Sequence, residues 1–276
     1  MAKAVRKLVD DTRKSGHHEL DLDAKGLSDL LEFPELFKCT KLTRLTLSHN
    51  KITAIPPNII DLTNVESINL FDNHVESLPS AISGLLKLKH LNLGMNKLSD
   101  LPRGFGSFPM LEVLDLTYNN LTEASLPSNF FLLSQLRALY MGDNEFTRLP
   151  KEIGNLSNLQ ILVLRDNELE ELPAEIGKLT KLKELHLQCN QLTFFPTELA
   201  GLALYDTSKS VLKAEGNPLL PELQQKLKIG PKHMLEFLRS SGYSLLVNHF
   251  KAAPDRPVVE KDKTLKKSRM KKNSPD

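Results

Sequence analysis

The chain has no tryptophan, only two cysteines among its 276 residues, and no long apolar run. Two cysteines cannot build the disulfide framework that staples small secreted domains. Nothing approaches the roughly 18 consecutive apolar residues of a membrane-spanning helix, so no transmembrane segment is expected. The opening MAKAVRKLVDDTRKSG is charged throughout and lacks the apolar core of a secretory signal. Catalytic signatures are missing as well: there is no Walker loop, kinase signature, G-x-S-x-G elbow or HExxH helix. Gly104-Phe105-Gly106 follows a Leu-Pro rather than a strand, which removes it as a phosphate loop. His17-His18 has no cysteine or carboxylate at metal-ligand spacing. No cofactor, metal site or enzymatic activity is expected. Net positive charge is missing from the body of the chain. Residues 251–276 hold nine Lys/Arg against four Asp/Glu, so the first 250 residues carry a net −3. A nucleic-acid binder carries its positive charge in the folded body; nucleic acid is therefore excluded as a partner.

What the sequence does contain is repetition. Asn50, Asn73, Asn96, Asn119, Asn144, Asn167 and Asn190 each close an L-x-x-L-x-L-x-x-N-x-L unit, at steps of 23 residues broken once by a step of 25. Self-similarity at this period is the mark of a leucine-rich repeat solenoid. The Leu-x-Leu alternation makes a short strand with leucines inward and the intervening residues outward. Stacked in parallel, these strands line the concave side. The asparagine carries two donors and an acceptor for backbone groups left over where the chain turns out of the strand. Each second half opens on an apolar-Pro pair (Ile55-Pro56, Leu78-Pro79, Leu101-Pro102, Leu126-Pro127, Leu149-Pro150, Leu172-Pro173, Phe195-Pro196) with apolar residues following at intervals of three. That spacing suits short 3-10 or irregular convex segments. The two extra residues fall in LTEAS, where one loop should bulge.

The fold class is thus α/β: a curved parallel sheet, thin convex segments and helical caps. Four parts are expected: an N-terminal cap over 1–19, repeats over 20–219, a C-terminal helical cap over 220–250, and a disordered Lys/Pro-rich tail over 251–276. In the first cap, Val5, Leu8, Val9 and Thr12 recur at helical spacing. HELDLDAKGL reads as a degenerate first unit with Lys25 in the asparagine slot. KAEGNPLL keeps Asn217 as a last, imperfect turn. Pro231 should open a helix through about Phe250, with Met234, Leu235, Leu238, Leu245 and Leu246 covering the final repeat and Gly242 as its weak point. Cys39 takes a core slot and Cys189 a rim position, about 30 Å apart at about 4.8 Å per strand. That separation excludes a disulfide between them.

With the register set, the outward positions can be named. They are Glu19, Asp21 and Asp23; Arg44, Thr46, Ser48 and His49; Ser67, Asn69, Phe71 and Asp72; His90, Asn92, Gly94 and Met95. They continue with Val113, Asp115, Thr117 and Tyr118; Ala138, Tyr140, Gly142 and Asp143; Ile161, Val163, Arg165 and Asp166; Glu184, His186, Gln188 and Cys189. Eight acids against two arginines make this surface acidic. Its middle displays Phe71, Met95, Tyr118 and Tyr140, which the core does not require. Exposed aromatics flanked by charge on a rigid scaffold are the composition of interface hot spots. The partner class they fit is a folded protein, basic and partly apolar where it docks. An open arc does not exclude water from a reacting centre, which disfavours catalysis.

The segments HLNLGMNKLSDLPRGFGSFPMLEVLDLTYNNL, SLPSNFFLLSQLRALY and LQILVLRDNELEELPAEIG resemble the Ras suppressor protein 1 family of intracellular leucine-rich repeat adaptors, over about residues 5 to 250. The Lys-rich tail falls outside the likeness. The resemblance implies a non-enzymatic cytoplasmic adaptor, monomeric within a hetero-complex at cell–matrix adhesions. It would bind the LIM-domain adaptor PINCH, and through it join integrin-linked kinase and parvin, restraining Ras signalling. Any zinc would belong to the LIM partner. The contact residues proposed from exposure and chemistry are Phe71, Asp72, Met95, Asp115, Tyr118, Tyr140, Asp143, Arg165 and Asp166. Two other readings compete: direct binding of a Ras-type GTPase, and a regulatory subunit of a phosphatase or ligase.

Overall fold

The computed structural model describes residues 2–204 and 210–252. The tail expected from residue 251 onward lies, past Ala252, outside the described residues. Nine short strands form one parallel sheet in chain order: β1 Glu19–Asp21, β2 Arg44–Thr46, β3 Ser67–Asn69, β4 His90–Asn92, β5 Val113–Asp115, β6 Ala138–Tyr140, β7 Ile161–Val163, β8 Glu184–His186 and β9 Val211–Lys213. Every strand pairs with the next in the same register, which stacks Leu20, Leu45, Ile68, Leu91, Leu114, Leu139, Leu162, Leu185 and Leu212 in one column. All nine are buried. Each such side chain contributes about 1.5–3 kcal/mol of apolar burial.

The return path is made of 3-10 segments. Those over Pro57–Asp61, Ser80–Gly84, Lys151–Asn155, Ala174–Lys178 and Thr197–Gly201 each follow a proline in extended conformation. Proline's locked φ sets the direction of entry. The buried isoleucine or leucine three residues on then accepts from the closing Leu N–H, as in Leu62 to Ile59. The two-residue insertion does not hang loose. It adds a 3-10 turn, Glu123–Ser125, sealed by Thr122 N–H to Ser125 Oγ (2.9 Å) and Ser125 Oγ–H to the Ser99 carbonyl (2.6 Å).

A ladder of amides holds the sheet exits. In each repeat the asparagine Nδ2 donates to a carbonyl of its own repeat and to one of the preceding repeat, leucines except for Met141 and Ala214, while Oδ1 accepts from a backbone N–H of that preceding repeat. For Asn96 these are Leu93 (3.0 Å), Leu70 (2.9 Å) and Val75 N–H (2.9 Å). The same set recurs at Asn50, Asn73, Asn119, Asn144, Asn167, Asn190 and Asn217.

Helices close both ends, with three departures from the sequence-based expectations. The first helix, α1 (Ala2–Ser15), buries Val5, Val9 and Thr12, but Leu8 is left 41% exposed. At the other end the last repeat completes a ninth strand, and the chain then forms α2 (Pro221–Ile229), α3 (Pro231–Leu238) and α4 (Ser241–Ala252). The single helix expected from Pro231 breaks at Arg239-Ser240, where Ser240 Oγ accepts from Tyr243 N–H and caps α4. Met234, Leu235 and Leu238 are buried as expected, but Leu245 is 70% exposed and Leu246 half-buried. Tyr243 takes over as the anchor. Fully buried, its hydroxyl donates to the Phe195 carbonyl (2.5 Å) and accepts from Phe195 N–H (2.9 Å). An aliphatic side chain cannot pair those backbone groups, which lie just before the last 3-10 segment, so the phenol is favoured there. Cys39 is buried and Cys189 exposed, and neither is in a disulfide.

Candidate interaction face

Register places the outward side chains in rows across the sheet. One row runs Asn69, Asn92, Asp115, Tyr140, Val163 and His186; a second runs Ser67, His90, Val113, Ala138, Ile161 and Glu184. Neighbours within a row are about 4.8 Å apart, so large residues shade small ones. A third row is not strand at all. His49, Asp72, Met95, Tyr118, Asp143, Asp166 and Cys189 sit in the left-handed region with φ between 53° and 56°. None is glycine, and each such residue costs on the order of 1–3 kcal/mol. The adjacent ladder asparagine, tied to three backbone groups, holds the turn in place.

Most of the predicted contact residues are half-exposed: Phe71, Asp72, Met95, Asp115, Tyr118, Tyr140, Arg165 and Asp166. Asp143 is the exception and a correction, being 7% exposed. It follows Gly142 beneath the Arg165 side chain, whose Cγ lies 3.2 Å from where a Cβ on Gly142 would stand. Ser48, Gly94, Ala138, Gly142 and Val163 were also expected to face solvent and are buried. Shading explains Gly94, whose Cβ position is 3.2 Å from the Phe71 ring. Ser48 is drawn down by its hydrogen bond to Asp23 Oδ1 (2.6 Å).

Three local groupings result. At the centre of one, Arg165 Nη1 reaches Asp143 Oδ2 (2.9 Å) and Asp166 Oδ2 (2.7 Å), with its guanidinium 5.8 Å from the Tyr118 ring centroid. Burial works to lower the Arg165 pKa, but the Asp143 and Asp166 charges and hydrogen bonding with Tyr118 and Asp166 raise it on balance. Arg165 is therefore a fixed cation that props Tyr118. The second grouping is Asp115 beside Tyr140. Asp115 Oδ1 accepts from Thr117 N–H (2.9 Å), which fixes its carboxylate. Burial, then Glu184 and Asp115, raise the Tyr140 phenol above its ordinary value. The third is Phe71, edge-on to His49 with centroids 5.6 Å apart. Asp72 and Met95 stand between these groupings on the left-handed row.

The contact set missed an apolar shelf. Val113 and Ile161 are half-exposed and flank Ala138 in the row beside Tyr140 and Val163. The available signal was three successive apolar residues in a slot that other repeats fill with Arg, Ser, His or Glu. At the far end, Asp23, Ser48 and His49 have the composition of a catalytic triad without its geometry. Ser48 donates to the Asp23 carboxylate rather than to His49, whose Nδ1 is 2.8 Å from the same oxygen. Nothing there activates the serine hydroxyl.

The nine-strand parallel sheet, the 3-10 return segments and the asparagine ladder define a leucine-rich repeat solenoid. Comparisons with known proteins agree: the family described as leucine-rich repeat region matches residues 97–207, and two further leucine-rich repeat families match 64–121 and 40–80. Ras suppressor protein 1 of Bos taurus and of Homo sapiens are each 52% identical to this chain over 64 residues. That stretch is 23% of this chain and 23% of each relative, far shorter than the span of about residues 5 to 250 suggested by the motifs. Among solved structures, the Arabidopsis receptor kinase HAESA, in complex with the peptide hormone IDA and the co-receptor SERK1, is 29% identical with a TM-score of 0.63. The match covers 75% of this chain and 35% of that one. Internalin C2 from Listeria monocytogenes, 24% identical with a TM-score of 0.63 over 79% of this chain and 92% of its own, shares the fold. No helix among the described residues is long and apolar enough to cross a membrane.

Proposed function

We propose that the chain is a non-catalytic scaffold whose concave face grips a folded protein partner. One observation carries this reading: Tyr118, beside the Arg165 guanidinium that Asp143 and Asp166 pin, and Tyr140, in register with Asp115, are half-exposed and border the Val113–Ile161 shelf. Aromatic anchors fixed in advance lose little entropy on binding, which is the condition for a hot spot. The acidic balance of this face favours a partner that is basic around an apolar centre.

The partial similarity to Ras suppressor protein 1 gives the partner its specific form. In this reading the face holds the last LIM domain of PINCH and so joins integrin-linked kinase and parvin at cytoplasmic cell–matrix adhesions, restraining Ras signalling. The test is calorimetric titration of that LIM domain into the wild-type chain and into a Tyr118→Ala, Tyr140→Ala variant. Loss of at least about 2 kcal/mol, roughly thirtyfold in affinity, is expected for removal of hot-spot aromatics. Unchanged affinity in a folded variant overturns the concave-face reading. Absence of any binding by the wild type overturns the partner.

A further inference from the structure

The acids of the sheet face divide into two sets. Glu19 pairs with Arg44 (3.3 Å), Asp23 with His49 (2.8 Å), and Asp143 and Asp166 with Arg165. Glu184 lies 3.7 Å from His186. Asp21, Asp72 and Asp115 have no cation within ion-pair distance among the described residues; Asp21 is on β1 at the far end of the sheet, and Asp72 and Asp115, both half-exposed, are the two nearer the C-terminal cap. The sequence supplies the complementary charge. Residues 261–272, KDKTLKKSRMKK, hold seven Lys/Arg and one Asp. They follow Ala252, the last residue of α4, after eight intervening residues.

Reach permits an intramolecular contact. Eight residues extend to about 26–29 Å. The six strand intervals from β9 back to β3, which precedes Asp72, amount to about 29 Å at about 4.8 Å each, and Lys266, fourteen residues past Ala252, reaches about 46–50 Å. We propose that the basic segment 261–272 docks on the Asp72–Asp115 part of the concave face of its own chain and competes there with the partner. The competition rests on the reading that the partner uses this face; the docking does not.

Tethering makes weak ion pairs count. A short tether presents the segment at an effective concentration on the order of millimolar. A contact with a comparable intrinsic dissociation constant then covers the face about half the time and weakens partner binding about twofold; one ten times tighter weakens it about tenfold. Salt should relieve the effect, since the Debye length falls to about 3 Å at 1 M.

Zero-length carbodiimide coupling of the dilute full chain, mapped by mass spectrometry, reads the docking without any partner. Amide links from Lys266, Lys267, Lys271 or Lys272 to Asp72 or Asp115 within one molecule are expected. They should fall several-fold at 1 M salt. No such links, links only in covalent dimers, or equal linking to the convex acids Glu152, Glu175 and Glu198 overturns the docking. A full chain with those four lysines changed to glutamate should bind the partner two- to tenfold more tightly. Links present with partner affinity unchanged refute the competition and count against the concave-face reading, while the docking stands.

Discussion

Asn119 is the sharpest test of how the repeats cohere. It is fully buried; its Nδ2 donates to the carbonyls of Leu93 (3.0 Å) and Leu116 (3.0 Å), and its Oδ1 accepts from Leu98 N–H (3.0 Å). Asn119→Ala leaves three backbone groups from two repeats without this partner, inside a core that excludes water. Each buried orphan costs about 1–3 kcal/mol. The Leu93 and Leu116 carbonyls keep the Nδ2 groups of Asn96 and Asn144 as donors, so Leu98 N–H is the one orphan of the three and the loss should be about 1–3 kcal/mol. Its left-handed neighbour Tyr118 should also lose its restraint. Urea unfolding followed by circular dichroism measures the loss, with Asn120→Ala as the control because Asn120 is half-exposed and outside the ladder. A loss below about 1 kcal/mol, or a loss equal to the control's, would refute the claim that the amides rather than leucine packing hold the turns.

Two further outcomes are expected of the fold. Burial pushes the Tyr243 phenol up to about 12, so the folded state keeps its proton where the unfolded chain, titrating near 10, has lost it. Stability from this group is complete below about pH 10 and falls by about 1.4 kcal/mol per pH unit up to 12; Tyr243→Phe should flatten that decline in alkaline melts and cost about 1–3 kcal/mol at neutral pH. At Gly106 a Cβ would stand 1.7 Å from the Asn129 carbonyl oxygen. Gly106→Ala should therefore cost about 1–3 kcal/mol or more by forcing apart the two repeats flanking the insertion, while Gly201→Ala, with open space around it, should cost under about 1 kcal/mol by the same chemical melt.

The period of 23 made the sheet, its register and the inward leucines legible, because each repeat states the same pattern and errors do not accumulate. The left-handed row was hidden. His49, Asp72, Met95, Tyr118 and Cys189 share no preference for positive φ; the asparagine that follows imposes it, and its geometry appears only once the repeats are stacked. Burial on the outer face was hidden for a related reason. Whether Gly94 or Asp143 meets solvent is decided by the size and reach of Phe71 and Arg165, residues far away in sequence. The caps were least legible: Tyr243 displaced Leu245 and Leu246 because the Phe195 backbone, just before the last 3-10 segment, offers polar groups to a hydroxyl, which apolar periodicity does not record.

Hydrogen exchange of the chain with and without bound LIM domain tests the central claim most directly. Slowed exchange is expected along residues 90–95, 113–118, 138–143 and 161–166, with the 3-10 turns at 151–155 and 174–178 unchanged. Protection confined to those turns or to the helical caps, with the four strand exits unaffected, would contradict the assignment of the concave face.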